Sequence, residues 1–319
     1  MLPKILITGA TSFTGCHIAR SFKKANYPVV GTLTRYTEDY ESDPIVKNRK
    51  QFSQIEEWMP EFSVTKPETL SLIEKTGAKV WVGHGAPIKG YRSQDFDYLE
   101  SFRNTITGLF EALKVFKDAG GELYIHTGTV FEPDEGVSEF PGMSGVSEGV
   151  SPYGLSKNLV WNVIRFYCFR LGISVSKIVI PNPIGRFENP DRLIPVFCEM
   201  WKKKETPKMK VGHLIRDQLP AEWLAQVYIK EVVENSNRLD KTFRVRIKRP
   251  SGFVMSQKSF IELIQKEFSK RVSGLSFTCE FDQVPSSEPM ERFNTEPVPE
   301  LNSSESRGLF FDNWAESLF

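Results

Sequence analysis

Cysteine and histidine are scarce, with four of each in 319 residues. Cys16, Cys168, Cys198 and Cys279 form no C-x-x-C pair, and His17, His84, His126 and His213 show no metal-ligand spacing; a structural zinc site is not expected. Charge of one sign is missing too. The 41 Lys+Arg stand against 40 Asp+Glu, a formal net charge of +1, which argues against a nucleic-acid or anionic-membrane binder while leaving room for a local basic patch. No apolar run approaches the ~20 residues that span a bilayer. The opening MLPKILITGA lacks the charged n-region, long apolar stretch and small-residue cleavage site of a signal peptide. These absences predict a soluble, cytoplasmic protein with reduced thiols.

The length suffices for one large α/β domain carrying a smaller partner. Short β-rich runs alternate with helical stretches through the first half, the pattern of a parallel sheet with helices on both faces. Strands are predicted at Lys4 to Thr8, around Pro28 to Leu33, at Lys79 to Gly83, Glu122 to Thr127 and Ser174 to Ile180. An amphipathic stretch runs from about Phe96 to Asp118, and a helix from Tyr153 to Leu171 stops at Gly172. The polar segment from Thr34 to about Pro60 carries no clear pattern. After Pro181 the texture turns irregular, with short helices at Leu193 to Lys203 and Ala221 to Glu234, a strand-like TFRVRI, a helix from about Ser256 to Phe268, and a loop over Pro285 to Ser306.

Three constellations carry chemistry. The first is Thr8-Gly9-Ala10-Thr11-Ser12-Phe13-Thr14-Gly15 between the first strand and first helix. Glycine there lets the backbone approach a diphosphate, and the amides and dipole of the following helix attract its charge; a plain strand–helix turn is the other reading. The second is Tyr153 with Lys157, four apart on one helix face, where an ammonium can stabilise a phenolate that trades protons with a carbonyl or alcohol oxygen. One such pair arises readily by chance among nine tyrosines. The third is Thr127, at the end of a strand, whose hydroxyl can orient the reacting oxygen or simply cap a turn.

In this order and spacing the residues resemble the extended short-chain dehydrogenase/reductase family, in its branch of nucleotide-sugar epimerases, dehydratases and keto-reductases. Further matches extend over roughly residues 4 to 235: His84-Gly85-Ala86 at the family's H-x-A, Asn104 at its helix asparagine, Val130-Phe131 after Thr127, and Glu148 ahead of Pro152-Tyr153. Asn182-Pro183-Ile184-Gly185 matches its N-x-x-G, and Arg216-Asp217 followed by Ala221-Glu222 its R-D segment. The resemblance implies a Rossmann-type doubly wound parallel sheet over 1–180, joined by a returning segment at about 217–238, with a smaller substrate-binding lobe of 181–216 and 239–319. It further implies a homodimer. Thr127, Tyr153 and Lys157 become the catalytic residues. Gly9, Thr11, Ser12, Phe13, Thr14, Gly15, Arg35, His84, Gly85, Ala86, Asn104, Tyr153 and Lys157 become cofactor contacts, and Thr129, Asn182 and Arg216 substrate contacts.

Departures from the family pattern narrow the chemistry. Ser12 replaces the middle glycine, and Ser63 stands where an aspartate usually holds the adenine. Gly128 and Thr129 follow Thr127 where dehydratases carry Asp and Glu, which argues against a 4,6-dehydratase, and relatives that epimerise beside a ketone have cysteine in place of Thr129. The second strand ends in Thr34-Arg35 rather than an acid; Arg35 pairs with a 2′-phosphate, favouring NADP(H) over NAD(H), or is a solvated loop residue. The expectation is NADPH-dependent reduction of a keto-deoxysugar nucleotide. The alternatives are a nucleotide-sugar 4-epimerase with tightly bound NAD, and a non-catalytic nucleotide-binding regulator of the same fold. His126, one residue before Thr127, faces the other side of its strand and is read as packed.

Overall fold

The computed structural model of the chain describes every residue except 86–89, 91–92, 94, 134, 137–150, 239, 241 and 287. Ala86 and Glu148 therefore lie outside the described residues. The first part of the chain runs β1 Ile5–Thr8, α1 Phe13–Lys24, β2 Val29–Thr32, α2 Thr37–Glu41, α3 Pro44–Ser53, β3 Glu57–Met59, α4 Pro67–Thr76, β4 Val80–Gly83, α5 Tyr98–Ile106, α6 Leu109–Asp118, β5 Leu123–Thr129, α7 Pro152–Leu171 and β6 Ser174–Ile180. The remainder runs β7 Asn182–Ile184, α8 Leu193–Lys202, β8 Lys208–Met209, β9 Ile215–Pro220, α9 Ala221–Ser236, β10 Val245–Lys248, β11 Pro250–Ser251, β12 Phe253–Ser256, α10 Gln257–Ser269, β13 Glu280–Phe281, β14 Glu291–Arg292, β15 Glu296–Pro297 and α11 Ser304–Leu318.

Local chemistry sets the helix ends. Ser12 caps α1 by accepting from the Gly15 amide at 3.1 Å, and Lys23 and Lys24 close its last turn, where cations complement the helix dipole. Asp43 caps α3 ahead of Pro44, and Ser151 caps α7 ahead of Pro152, a position whose amide has no partner within the helix. The amphipathic stretch predicted as one piece is two helices, α5 and α6, because Thr107 adopts an extended backbone between them. The unpatterned segment after Arg35 supplies α2, α3 and edge strand β3.

The described residues divide into two compact units: Met1–Glu135, 151–180 and Leu224–Arg249 in one, and Pro181–Trp223 with Pro250–Phe319 in the other. In the first, seven strands form one sheet in the order β10-β6-β5-β4-β1-β2-β3, with every pairing parallel. Parallel sheets are covered on both faces and therefore read as continuous apolar runs, and β1, β4, β5 and β6 are buried along nearly their whole length. The segment returning to this unit is 224–249 instead of 217–238, because the strand-like TFRVRI takes the open edge of β6, with Val245 beside Val175. Trp81 centres the core on one face, edge-on to Phe62, Phe116 and Tyr124 at 5.5–6.2 Å. The register sets Thr8 beside Gly83 and Gly83 beside His126. Gly9, His84 and Thr127 thus gather at the carboxyl edge, where ligands of open α/β sheets bind.

In the second unit, β9 pairs with β7 and β14 in parallel and with β12 antiparallel. Buried Asp217 ties these together, one carboxylate oxygen accepting from the Gly252 amide at 2.8 Å and the other from the Asn294 amide at 3.1 Å. The loop predicted over Pro285 to Ser306 runs into the 15-residue α11, which buries Phe310, Phe311 and Trp314. No helix among the described residues is long and apolar enough to cross a membrane.

Candidate active site

Gly9 adopts φ +73°, and a Cβ there would stand 2.0 Å from the His84 carbonyl oxygen. Only glycine permits this closeness between the β1 and β4 turns. Ser12 has an extended backbone, φ −74°, so its position makes no demand for glycine and gains a helix cap instead. Thr11 is half-buried, Phe13, Thr14 and Gly15 are buried in the first turn of α1, and Gly85 packs on Gly9. These residues form a tight backbone turn that leads into a helix N-terminus, a geometry suited to a diphosphate.

A chain of hydrogen bonds crosses this edge. His84 Nε2 lies 2.6 Å from Thr14 Oγ1, His84 Nδ1 lies 2.9 Å from Thr127 Oγ1, and Thr127 Oγ1 lies 2.8 Å from the Tyr228 hydroxyl. Burial, with Lys157 adding to it, brings His84 down to about 3, so the ring is neutral and carries one proton. Tyr228 is fully buried, its pKa raised by burial, and either of the two hydroxyls can donate in its contact with Thr127. A threonine hydroxyl has two acceptor lone pairs and one proton. With the His84 proton on Nδ1 and Tyr228 donating, Thr127 accepts from both, Thr14 donates to Nε2, and the Thr127 proton is left for a further acceptor. With the proton on Nε2, Thr127 donates to His84 instead.

Tyr153 opens α7, half-buried, with Phe96 and Phe131 edge-on to its ring at 6.0 and 6.4 Å. Lys157 lies one turn further along and is buried. Burial brings its ammonium down to about 8, with Glu132 pulling it up and Lys177 pushing it down. His126 stacks on Trp161 at 5.8 Å, packed as its strand position predicts. Thr129 is buried two residues beyond Thr127, its hydroxyl accepting from the Phe131 amide at 3.4 Å and its own amide donating to Glu132 Oε1 at 2.8 Å.

Other expected contacts are placed as follows. Arg35 is exposed after β2, its guanidinium 5.2 Å from the centre of the Tyr40 ring, while the Tyr40 hydroxyl accepts from the Thr34 amide at 2.9 Å. Asn104 is exposed on α5. In the second unit, Asn182 Nδ2 donates to the Asp217 carbonyl at 3.2 Å. Arg216 is buried, donating through Nη1 to the Ile215, Pro289 and Met290 carbonyls and through Nη2 to Glu288 Oε2 at 3.0 Å. Arg292 reaches the same Glu288 oxygen at 3.2 Å. Burial and the neighbouring Arg216 bring Arg292 down to about 10, still fully charged at neutral pH. Two buried arginines thus converge on one carboxylate oxygen.

Sequence reasoning did not single out Tyr228, Arg292, Glu288 or the buried Glu132–Lys177–Glu135 cluster. A signal for the last existed: a lysine inside the apolar strand SVSKIVI demands a buried acid.

The sheet order, the glycine turn and the Tyr153/Lys157 helix define a dinucleotide-binding protein of the extended short-chain dehydrogenase/reductase type. More particularly, the chain belongs to the NAD dependent epimerase/dehydratase family, which matches residues 5–238. No curated protein sequence matches the chain. Among solved structures it is similar to UDP-glucose 4-epimerase from Thermotoga maritima with UDP-glucose, at 14% identity over 98% of each chain and a TM-score of 0.70. UDP-glucuronic acid 4-epimerase from Bacillus cereus, in complex with UDP-glucuronic acid and NAD, is 18% identical over 99% of this chain and 98% of that one, with a TM-score of 0.71. UDP-N-acetylglucosamine 4-epimerase from Methanobrevibacter ruminantium M1, in complex with UDP-N-acetylmuramic acid, is 13% identical with the same coverage and a TM-score of 0.71. These likenesses are of fold.

Proposed function

We propose that the protein is a nucleotide-sugar 4-epimerase that keeps NAD bound from one turnover to the next. The observation that carries this reading is the buried Lys157 one helical turn from Tyr153, in a chain of this family. Similarity to 4-epimerases that bind UDP-sugars supports epimerisation over net reduction. The argument for reduction leans on Arg35, which already has a packing partner in Tyr40.

The Gly9 turn and the α1 N-terminus fit a dinucleotide, which when bound supplies the hydride acceptor and donor for the sugar carbon. The chain's own groups handle the oxygen. Tyr153 takes the proton of the sugar hydroxyl and returns it to the carbonyl oxygen, and the Lys157 ammonium favours the phenolate. Thr127, accepting from His84 and Tyr228, gives its proton to that oxygen and orients it. The Arg216/Arg292 pair holds the diphosphate in place of Glu288, and Asn182 and Thr129 contribute further substrate contacts. Leu99 on α5 and Phe166 and Phe169 on α7 are exposed apolar side chains that a homodimer partner would cover.

The test is Tyr153→Phe with a panel of UDP-hexoses and hexuronates, following isomer formation. The substitution should cut turnover about 10²- to 10⁴-fold with the fold and bound nucleotide retained, and unchanged turnover would overturn the proposal. A wild-type protein that binds NAD yet forms no isomer and oxidises no NADPH would restore the regulator reading.

A further inference from the structure

Lys177 lies in the middle of buried strand β6, where an apolar residue would serve packing better. Its Nζ is 3.0 Å from Glu132 Oε2 and 2.7 Å from Glu135 Oε1, and Arg249 Nε meets Glu135 Oε2 at 2.6 Å. Glu132, Glu135 and Lys177 are all buried. Taking such ions out of water costs several kcal/mol each unless the geometry is excellent, so a cluster of this kind is an unusual way to fill a sheet.

Helix α7 lies along it. Gly154 packs so tightly on the preceding loop that a Cβ would stand 1.8 Å from the Phe131 carbonyl oxygen and 3.2 Å from the Glu132 amide. Seven residues on, the Trp161 ring lies 5.4 Å from Lys177 Nζ. Lys157, three residues after Gly154 and four before Trp161, shares their helix face. Lys157 thus stands on the helix face that meets the Glu132 loop at Gly154 and Lys177 at Trp161. Gly128 completes the arrangement, since a Cβ there would stand 2.6 Å from Glu132 Oε1 and 3.0 Å from Lys177 Cδ.

We infer that Glu132 and Lys177 are positioning residues that set the charge of Lys157, Glu132 holding the ammonium in its charged form and Lys177 opposing it. The inference rests on the reading of Lys157 as the partner of Tyr153. Burial, Glu132 and Lys177 are what act on Lys157, in that order. Lys157 acts in turn on His84 and His126, both kept neutral chiefly by burial. Helix α5, packed on α7, presents the Ser101 hydroxyl 3.3 Å from Ser156 Oγ. Counting Lys157 and Arg249, the cluster has three cations for two carboxylates, and Lys157 has no hydrogen bond or ion pair among the described residues. Its charge therefore responds to either neighbour's removal, with opposite sign.

The test labels lysine Cε with ¹³C in the full-length protein, assigns Lys157 by the resonance lost in Lys157→Arg, and titrates it by NMR. Wild-type Lys157 should titrate near 8. Glu132→Gln should lower that midpoint by about one pH unit or more, Lys177→Met should raise it comparably, and the descending alkaline limb of kcat/KM should follow each. Shifts of one sign in both variants, or a wild-type Lys157 titrating near the ordinary ~10.4, would overturn the inference. If Glu132→Gln does not fold, Lys177→Met decides alone, a midpoint that stays or falls being contradictory. Opposite shifts with no turnover on any nucleotide sugar would leave this inference standing and defeat the epimerase reading.

Discussion

His84 Nδ1 lies 2.9 Å from Thr127 Oγ1 while its Nε2 lies 2.6 Å from Thr14 Oγ1, so one neutral imidazole joins the end of β5 to the first turn of α1. The Thr127 proton is then available only when His84 carries its own on Nδ1. Thr127→Val, which keeps the shape and removes the hydroxyl, should lower kcat about 10²-fold. Thr127→Ser should retain most activity, and Tyr228→Phe, which removes one of the two hydrogen-bond partners of Thr127, should cost about tenfold. Steady-state kinetics on folded variants checks this, and equal losses for Thr127→Val and Thr127→Ser would rule out the hydroxyl as the acting group.

Glu288 pairs with both Arg216 and Arg292, yet its side chain is 51% exposed. Burial would raise its pKa, but the two guanidinium groups hold it below the usual carboxylate range. Under the proposed function, a substrate diphosphate would displace this carboxylate. Glu288→Gln should lower KM for the nucleotide sugar severalfold with little change in kcat, and Arg216→Ala should raise KM about tenfold or more. Titration calorimetry with UDP gives an independent measure, and a weaker UDP affinity in Glu288→Gln would contradict the account.

Glu188 carries a pH dependence of stability. Its Oε1 accepts from the Gly185 amide at 2.9 Å and its Oε2 meets Arg192 Nε at 3.0 Å, yet burial pushes the carboxyl up to about 7. Unfolded glutamate titrates near ~4.3, so the native state binds this proton more tightly. The group's contribution is full below about pH 4.3 and is lost as pH rises through about 7. Asp217, raised to about 6 by burial, acts in the same sense. Glu188→Gln should remove on the order of 2 kcal/mol of the pH-dependent loss across that window. Urea unfolding near both ends reads it, and an unchanged difference would contradict the assignment.

The apolar runs of β1, β4, β5 and β6 made most of the parallel sheet legible, because a strand buried on both faces has little polar signal to confuse it. Gly9 and the Tyr153/Lys157 pair were legible for a related reason: each depends on spacing within one turn. Arg35 shows the limit, since its contact with Tyr40 forms through α2, a polar helix with no periodicity to read. Glu132 and Lys177 are 45 residues apart, and Arg216 and Glu288 are 72 apart. Such pairings depend on which strands and loops become neighbours, and no local pattern announces them.

Epimerisation through a retained nicotinamide nucleotide can be followed by incubating the purified protein with UDP-sugars in D₂O and observing the sugar ring by ¹H NMR. The expected result is conversion to the C4 isomer without added nicotinamide nucleotide, with no solvent deuterium entering at C4 and with deuterium placed there beforehand kept in the product. Isomer that takes up solvent deuterium on its ring carbons, or product formed only as NADPH is consumed in equal amount, would contradict it.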